Sequence, residues 1–231
     1  MISFVIPAYN EADFIGPTLR AIRDSAAQLA LDHEVIVADD ASTDRTSAIA
    51  EALGARIVRC SNRQIAATRN AGAAVSKGEY LIFVDADTTV NTAVVGGAIR
   101  ALDAGAVGGG ADVRWEGRAA LHWRLSVAML FRFFRITRYA AGSFFFCRRD
   151  VFEAVGGFDE TLYAAEEIWL SIAMKKRGRF VILKEHVHTS TRKLDDHSSW
   201  EIFRTAFSIL LRGPRAVRKR KGLELWYEQR T

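Results

Sequence analysis

The first 105 residues alternate apolar strand-like runs with amphipathic helical segments, and this alternation limits the chain to few folds. Strands are predicted at 2–6, 34–38, 56–60 and 80–84, and helices at 12–31, from 44 to 53, at 64–77 and at 91–104. Four successive β-α units are typical of a parallel sheet with helices on both faces. We therefore expect an α/β fold with a mostly parallel, Rossmann-like sheet.

The second half follows a different pattern. It contains a glycine-rich strand candidate at 106–113, a long helix candidate at 118–138, and further elements at 144–147, 166–177, 180–183 and 198–211. We expect two halves of the same domain, over 1–105 and 106–195. A C-terminal helix and basic tail would occupy 196–231.

Asp85-Ala86-Asp87 directly follows the apolar run 80–84, where a buried strand must end. Aspartate is common in turns, but ligands of open α/β sheets bind beyond the carboxyl ends of the strands. Two carboxylates there can hold a hard divalent cation such as Mg²⁺ or Mn²⁺, which in turn can hold a diphosphate.

The ends of the first two predicted strands carry further polar residues that would converge on the same edge. Tyr9 can contact a base and Asp40 can accept a hydrogen bond from a base N–H. The sequence has neither a P-loop motif nor a dinucleotide-binding motif after a strand. These features predict a nucleoside diphosphate site built from side chains.

Five motifs in this order and spacing resemble family 2 glycosyltransferases of the GT-A fold. They are Ile-Pro-Ala-Tyr-Asn-Glu (6–11), Asp-Asp-Ala-Ser-Thr-Asp (39–44), Thr-Arg-Asn-Ala-Gly (68–72), Asp-Ala-Asp (85–87) and Gly-Gly-Phe-Asp-Glu (156–160). The resemblance covers roughly 2–185 and implies a metal-dependent, inverting transfer from a nucleotide diphosphate sugar. It would make 1–105 the nucleotide-sugar-binding half and 106–195 the acceptor and catalytic half of the domain. It also implies roles for particular residues: Pro7, Tyr9 and Glu11 would line the nucleoside pocket, Asp40 would contact the base, Arg69 would lie near the donor, and Asp87 would be the principal metal ligand with Asp85 beside it.

One motif departs from the family. Members usually carry Glu-Asp at the start of the helix after the fifth motif, whereas this chain has Glu166-Glu167. Glu167 falls at the position of the general base, and a longer carboxylate can still accept the proton of an acceptor hydroxyl. Acidic residues also favour helix N-termini through the dipole. Because some GT-A enzymes use a late histidine as a metal ligand, His188 is a further candidate ligand.

The net charge of +5 is unevenly distributed. Residues 212–221 contain six basic and no acidic side chains, and 114–138 contain six arginines against Glu116. These segments favour an anionic partner, which we expect to be a lipid-linked, polyprenyl-phosphate or saccharide acceptor, with 118–138 and 212–221 at an anionic membrane surface. No nucleic-acid-binding motif is present, so we expect no nucleic-acid partner.

Cys60 and Cys147 lack the spacing of a redox or metal motif, and the N-terminus lacks a signal-peptide pattern. We therefore expect a cytoplasmic protein, peripheral on the inner membrane face if the basic segments bind lipid. Three alternatives stay open: a sugar-phosphate nucleotidyltransferase, a nucleic-acid-binding protein suggested by the pI of 9.4, and a non-catalytic nucleotide- or lipid-binding relative.

Overall fold

The computed structural model describes residues 1–116, 135–140, 142–190 and 217–218. The strands are β1 (Ile2–Ala8), β2 (His33–Asp40), β3 (Arg56–Cys60), β4 (Tyr80–Val84), β5 (Thr88–Thr89), β6 (Gly108–Glu116), β7 (Phe144–Arg148) and β8 (Phe180–Ser190). The helices are α1 (Ile15–Gln28), α2 (Thr46–Ala52), α3 (Ile65–Val75), α4 (Thr92–Asp103), α5 (Arg149–Ala154) and α6 (Glu166–Lys175).

These strands form a single mixed sheet in the order β3-β2-β1-β4-β7-β6-β8-β5. Strands β3, β2, β1 and β4 run parallel, as the alternation in the sequence predicts. Strand β7 is antiparallel to both β4 and β6, and β6 is parallel to β8. The α/β prediction is therefore confirmed, with a parallel half extended by a mixed half.

Both faces of the sheet are covered. Phe4 and Ile6 of β1 pack with Leu19 of α1 in one buried cluster, whereas Val5 packs with Phe83 of β4 in a second cluster. Successive strand residues point to opposite faces, so β1 contributes to two cores. This double burial explains its uninterrupted apolar sequence.

The glycine-rich start of β6 allows close strand packing. A Cβ atom on Gly109 would lie 2.3 Å from the carbonyl oxygen of Val181 and 2.4 Å from the Phe146 ring. The structure thus explains Gly108-Gly109-Gly110 by tight packing and not by phosphate binding.

Strand β8 is longer than the sequence predicts. The apolar run suggested an end at Leu183, but β8 continues to Ser190 because its polar second half pairs with Asp112–Glu116 of β6. His186 and His188 therefore lie within a strand and not after one. The helix predicted at 118–138 falls mostly, and that at 198–211 entirely, outside the described residues. Among the residues that are described, no helix is long and apolar enough to cross a membrane.

Candidate active site

Strained backbone conformations mark the carboxyl edge of the parallel strands. Asn10, Ala41 and Arg63, which follow β1, β2 and β3, have φ angles of 52°, 61° and 50°. Ala165, immediately before α6, has a φ of 60°. Left-handed conformations are unfavourable for residues with a side chain and concentrate at functional sites. These are four of the six such residues in the described part of the chain, the others being Ala30 and Arg138, so most of them lie where the sequence motifs do.

The second motif holds the first in place. The backbone N–H of Asn10 donates to Ser42 Oγ at 3.0 Å, and that of Glu11 donates to Thr46 Oγ1 at 2.8 Å. The N–H of Thr43 donates in return to Asn10 Oδ1 at 2.8 Å. The loops after β1 and β2 are thus joined. Pro7, the other residue predicted for the nucleoside pocket, is buried in β1 opposite Ala38 of β2.

Asp40, the last residue of β2, is buried, and its carboxylate lies at the start of α3. Its carboxylate accepts the N–H groups of Arg63 and Gln64, at 2.9 and 3.2 Å, and the hydroxyl of Thr68 at 2.9 Å. These donors give Asp40 a structural role that sequence reasoning missed. Its contact with a base stays a prediction.

Tyr9 lies beside this anchor. The Arg63 guanidinium carbon is 3.8 Å from the centroid of the Tyr9 ring, a distance typical of a cation–π contact. The aromatic face predicted to meet a base therefore lies at the carboxyl edge, next to the α3 entrance.

Arg69 of α3 forms the centre of the site. Its Nη2 donates to Asp85 Oδ1 at 2.8 Å, and its Nη1 donates to Glu166 Oε1 at 2.5 Å and to Glu167 Oε1 at 2.9 Å. The exposed fractions of the side chains are 3% for Arg69 and Glu166, 12% for Glu167 and 20% for Asp85. One guanidinium therefore joins the Asp-Ala-Asp turn to the start of α6.

The electrostatics of this cluster are unbalanced, since one cation faces three carboxylates. Burial raises the pKa of Glu166 to about 8, and the charge of Glu167 adds to this while Arg69 opposes it. The three carboxylates raise the pKa of Arg69 against the effect of burial, so Arg69 stays charged. Arg69 Nε is buried and finds no hydrogen-bond acceptor among the described residues.

The Asp-Ala-Asp turn is held from three sides. The N–H of Asp85 donates to the Ser143 carbonyl at 3.1 Å, the Thr18 hydroxyl donates to the Ala86 carbonyl at 2.8 Å, and the N–H of Ser190 donates to the Asp87 carbonyl at 3.2 Å. These bonds come from β8, from α1 and from the residue preceding β7. Both predicted metal-ligating aspartates are thus placed on a fixed turn.

His188 and Thr189 of β8 have different positions relative to Asp87. The Thr189 hydroxyl lies 3.4 Å from Asp87 Oδ1, and alternation along the strand places His188 on the opposite face. His188 instead stacks edge-on with His186, with ring centroids 5.1 Å apart. Across the described part of the chain, no three His, Cys, Asp or Glu side chains form a group able to hold a metal ion.

The third and fifth motifs contact each other through Asn70. Its amide donates to the Phe158 carbonyl at 2.9 Å and accepts the Phe158 N–H at 3.0 Å. A Cβ atom on Gly157 would lie 2.8 Å from Asn70 Oδ1, so glycine is required there. This contact and the Arg69–Glu166 pair join residues 88 and 97 positions apart, and no local sequence signal reveals them.

Comparison with known proteins agrees with this architecture. The model of Glycosyl transferase family 2 matches residues 3–156, and the chain therefore belongs to that family. Succinoglycan biosynthesis protein ExoO of Rhizobium meliloti (strain 1021) is 39% identical over 93 residues, which are 38% of this chain and 26% of ExoO.

A second relative is the UDP-Glc:alpha-D-GlcNAc-diphosphoundecaprenol beta-1,3-glucosyltransferase WfaP of Escherichia coli. It is 33% identical over 91 residues, which are 38% of this chain and 35% of WfaP. The chain thus matches about a quarter to a third of the length of these relatives.

Among solved structures, the mannosyltransferase PcManGT from Pyrobaculum calidifontis, in complex with GDP-Man and Mn²⁺, superimposes with a TM-score of 0.69. It is 20% identical, and the match covers 91% of this chain and 64% of PcManGT. This similarity confirms the GT-A type of fold that the five motifs predict.

Proposed function

We propose that the chain is a metal-dependent inverting glycosyltransferase that uses a nucleotide diphosphate sugar. The observation that carries the proposal is the buried Arg69 cluster, which joins the predicted donor side, at Asp85, to the predicted catalytic carboxylates, Glu166 and Glu167. Membership of the family supports the reaction class. The hydrogen-bonded loops at the carboxyl ends of the parallel strands support the position of the site.

The residues present suit a hard divalent cation. Asp85 and Asp87 offer oxygen ligands on a turn whose backbone makes three hydrogen bonds, and the excess of negative charge around Arg69 favours a cation nearby. Mg²⁺ characteristically binds one or two carboxylates together with substrate phosphates. When bound, Mg²⁺ or Mn²⁺ would neutralise charge on the leaving diphosphate. His188 stays a weaker candidate ligand, since Thr189 contacts Asp87.

Glu167 is the proposed general base. Its side chain is more exposed than that of Glu166, 12% against 3%, so an acceptor can reach it more easily. Its carboxylate would accept the proton of the acceptor hydroxyl as that oxygen bonds to the anomeric carbon. The bond from the anomeric carbon to the diphosphate oxygen breaks in the same step, and the configuration inverts. Glu166 and Arg69 would hold Glu167 in place.

We propose a lipid-linked, polyprenyl-phosphate or saccharide acceptor. The printed name of WfaP describes a diphosphoundecaprenol-linked acceptor, and the basic segments 118–138 and 212–221 suit an anionic lipid or membrane surface. Together these features favour a peripheral protein on the inner membrane face that acts in cell-envelope synthesis.

The test is transfer by the purified chain with Mn²⁺, UDP-, GDP- and dTDP-sugars, and polyprenyl-phosphate and saccharide acceptors. We expect a product of inverted anomeric configuration by NMR, lost in Glu167→Gln and kept in the control Glu153→Gln, whose side chain on α5 is exposed. Full turnover by Glu167→Gln would place the base elsewhere. Donor binding without any transfer by the unsubstituted chain would favour the non-catalytic alternative.

A further inference from the structure

The segment that carries Glu166 and Glu167 has a helix start with little support of its own. Ala165, the N-cap of α6, has a left-handed backbone conformation and provides no side-chain capping bond. N-capping by a polar side chain usually satisfies the first N–H groups of a helix. The orientation of the two glutamates must therefore depend on contacts made outside α6.

One such contact comes from a residue far along the chain. The N–H of Tyr163 donates to the carbonyl of Val217 at 2.7 Å. The Val217 side chain is fully buried and packs with Leu162 and Ala164, and Trp169 lies against the same cluster. This cluster is separate from the two large cores of the sheet. Val217 thus contacts the loop from both its backbone and its side chain.

The other side of the loop is held by the donor half. The Leu162 carbonyl accepts a hydrogen bond from Gln64 Nε2 at 2.5 Å, and Gln64 Oε1 caps α3 by accepting the N–H of Ala67. The loop 162–165 therefore lies between the start of α3 and Val217. Loss of either support would let Ala165 relax and would move the carboxylates that follow it.

We propose that Val217 is a positioning residue for the catalytic carboxylates, a role that rests on the proposed function. It acts through Leu162, Tyr163 and Ala164 and touches no substrate. Because a displacement of about 1 Å can lower a rate about 100-fold, removal of the buried methyl groups should lower kcat about 10- to 100-fold. The affinity for the donor nucleotide should stay unchanged, since Tyr9 follows β1 and Asp40 ends β2, both outside the loop 162–165.

The test compares Val217→Ala with two matched variants of the full chain, well below their melting temperatures. Val217→Ile keeps the branched apolar side chain and should restore kcat. Val94→Ala makes the same change at an equally buried position in α4 and should lower stability without changing kcat. Equal falls of kcat in Val217→Ala and Val94→Ala would overturn the proposal.

Hydrogen exchange gives a readout that does not depend on activity. We expect exchange of the Tyr163 amide to become at least about tenfold faster in Val217→Ala, because its acceptor is no longer held by a packed side chain. Val94→Ala should leave this amide protected. Unchanged protection of Tyr163 in Val217→Ala would refute the positioning role. If the unsubstituted chain transfers no sugar, the proposed function fails, while this measurement still decides whether Val217 holds the loop 162–165.

Discussion

Replacement of Arg69 by leucine should destabilise the protein strongly and in a pH-dependent way. The substitution leaves three carboxylates without their shared cation, and two of them are almost fully buried. Removing one partner of a buried ion pair costs about 3–5 kcal/mol. For a chain of this length, about 2–4 °C of melting temperature is lost per kcal/mol, so we expect a fall of about 6–20 °C at pH 8.

The pH dependence follows from Glu166. The folded protein already raises the pKa of Glu166 from 4.5 to about 8, and loss of Arg69 removes an interaction that lowers this pKa. A carboxyl whose pKa is raised by folding binds protons more tightly in the folded state, so stability falls as pH rises through that interval. In the unsubstituted protein this loss stops near pH 8, where Glu166 ionises, whereas in Arg69→Leu the pKa of Glu166 is higher and the loss continues to higher pH. The destabilisation by Arg69→Leu should therefore be nearly the same at pH 5 and pH 8 and larger at pH 9.

The assay is urea denaturation of Arg69→Leu and of the control Arg149→Leu at pH 5 and pH 9. Arg149 is partly buried and donates to the Gly78 carbonyl and the Ser76 hydroxyl. Unlike Arg69, it pairs with a carboxylate that is exposed, that of Glu153. Arg149→Leu should therefore lower the free energy of unfolding equally at both pH values. A cost below about 1 kcal/mol for Arg69→Leu at pH 9, or a cost that is the same at pH 5 and pH 9, would refute the charge-cluster argument.

Three further substitutions test the local physics. In urea denaturation, the free energy of unfolding of Glu166→Gln should rise relative to that of the unsubstituted protein between pH 5 and pH 8, by up to about 1.4 kcal/mol per pH unit. Parallel pH profiles of the two proteins would contradict this. Ala41→Gly should raise the free energy of unfolding by about 1 kcal/mol, because Ala41 has a positive φ; a loss of stability would show that the conformation is not strained. Gly72→Ala should lower the free energy of unfolding by about 1–3 kcal/mol, because the new Cβ would lie 2.5 Å from Val5 Cγ1. An unchanged free energy of unfolding would show that Val5 can move.

The sequence predicts the parallel half of the fold well because its strands are buried on both faces and therefore apolar throughout. The extension of β8 could not be predicted in this way. Lys184 and Glu185 lack an apolar pattern and lie at an irregularity in the β6–β8 register, and the strand continues beyond them because His186–Ser190 pair with Asp112–Glu116 of β6. Strand pairing over a long sequence separation overrides local preference there.

The candidate site is likewise predictable from the sequence only in part. The motifs locate Tyr9 and Asp85 at the carboxyl edge, because strand ends converge in any parallel sheet. The burial of Arg69 is not predictable from its type, since arginine is mostly exposed in proteins. Arg69 is buried because carboxylates from the turn after β4 and from the start of α6 surround it. Local sequence patterns carry no information about contacts between such distant segments.

The most direct test of the central claim is calorimetric binding of UDP, GDP and dTDP to the chain, with and without Mn²⁺. We expect one nucleoside diphosphate to bind only with the metal. Asp87→Asn should abolish that binding, whereas the control Asp24→Asn, at an exposed position of α1, should retain it. Binding of none of them by the folded protein, or binding by Asp87→Asn that is as strong and as metal-dependent as that of the unsubstituted chain, would contradict a metal-dependent donor site at this edge of the sheet.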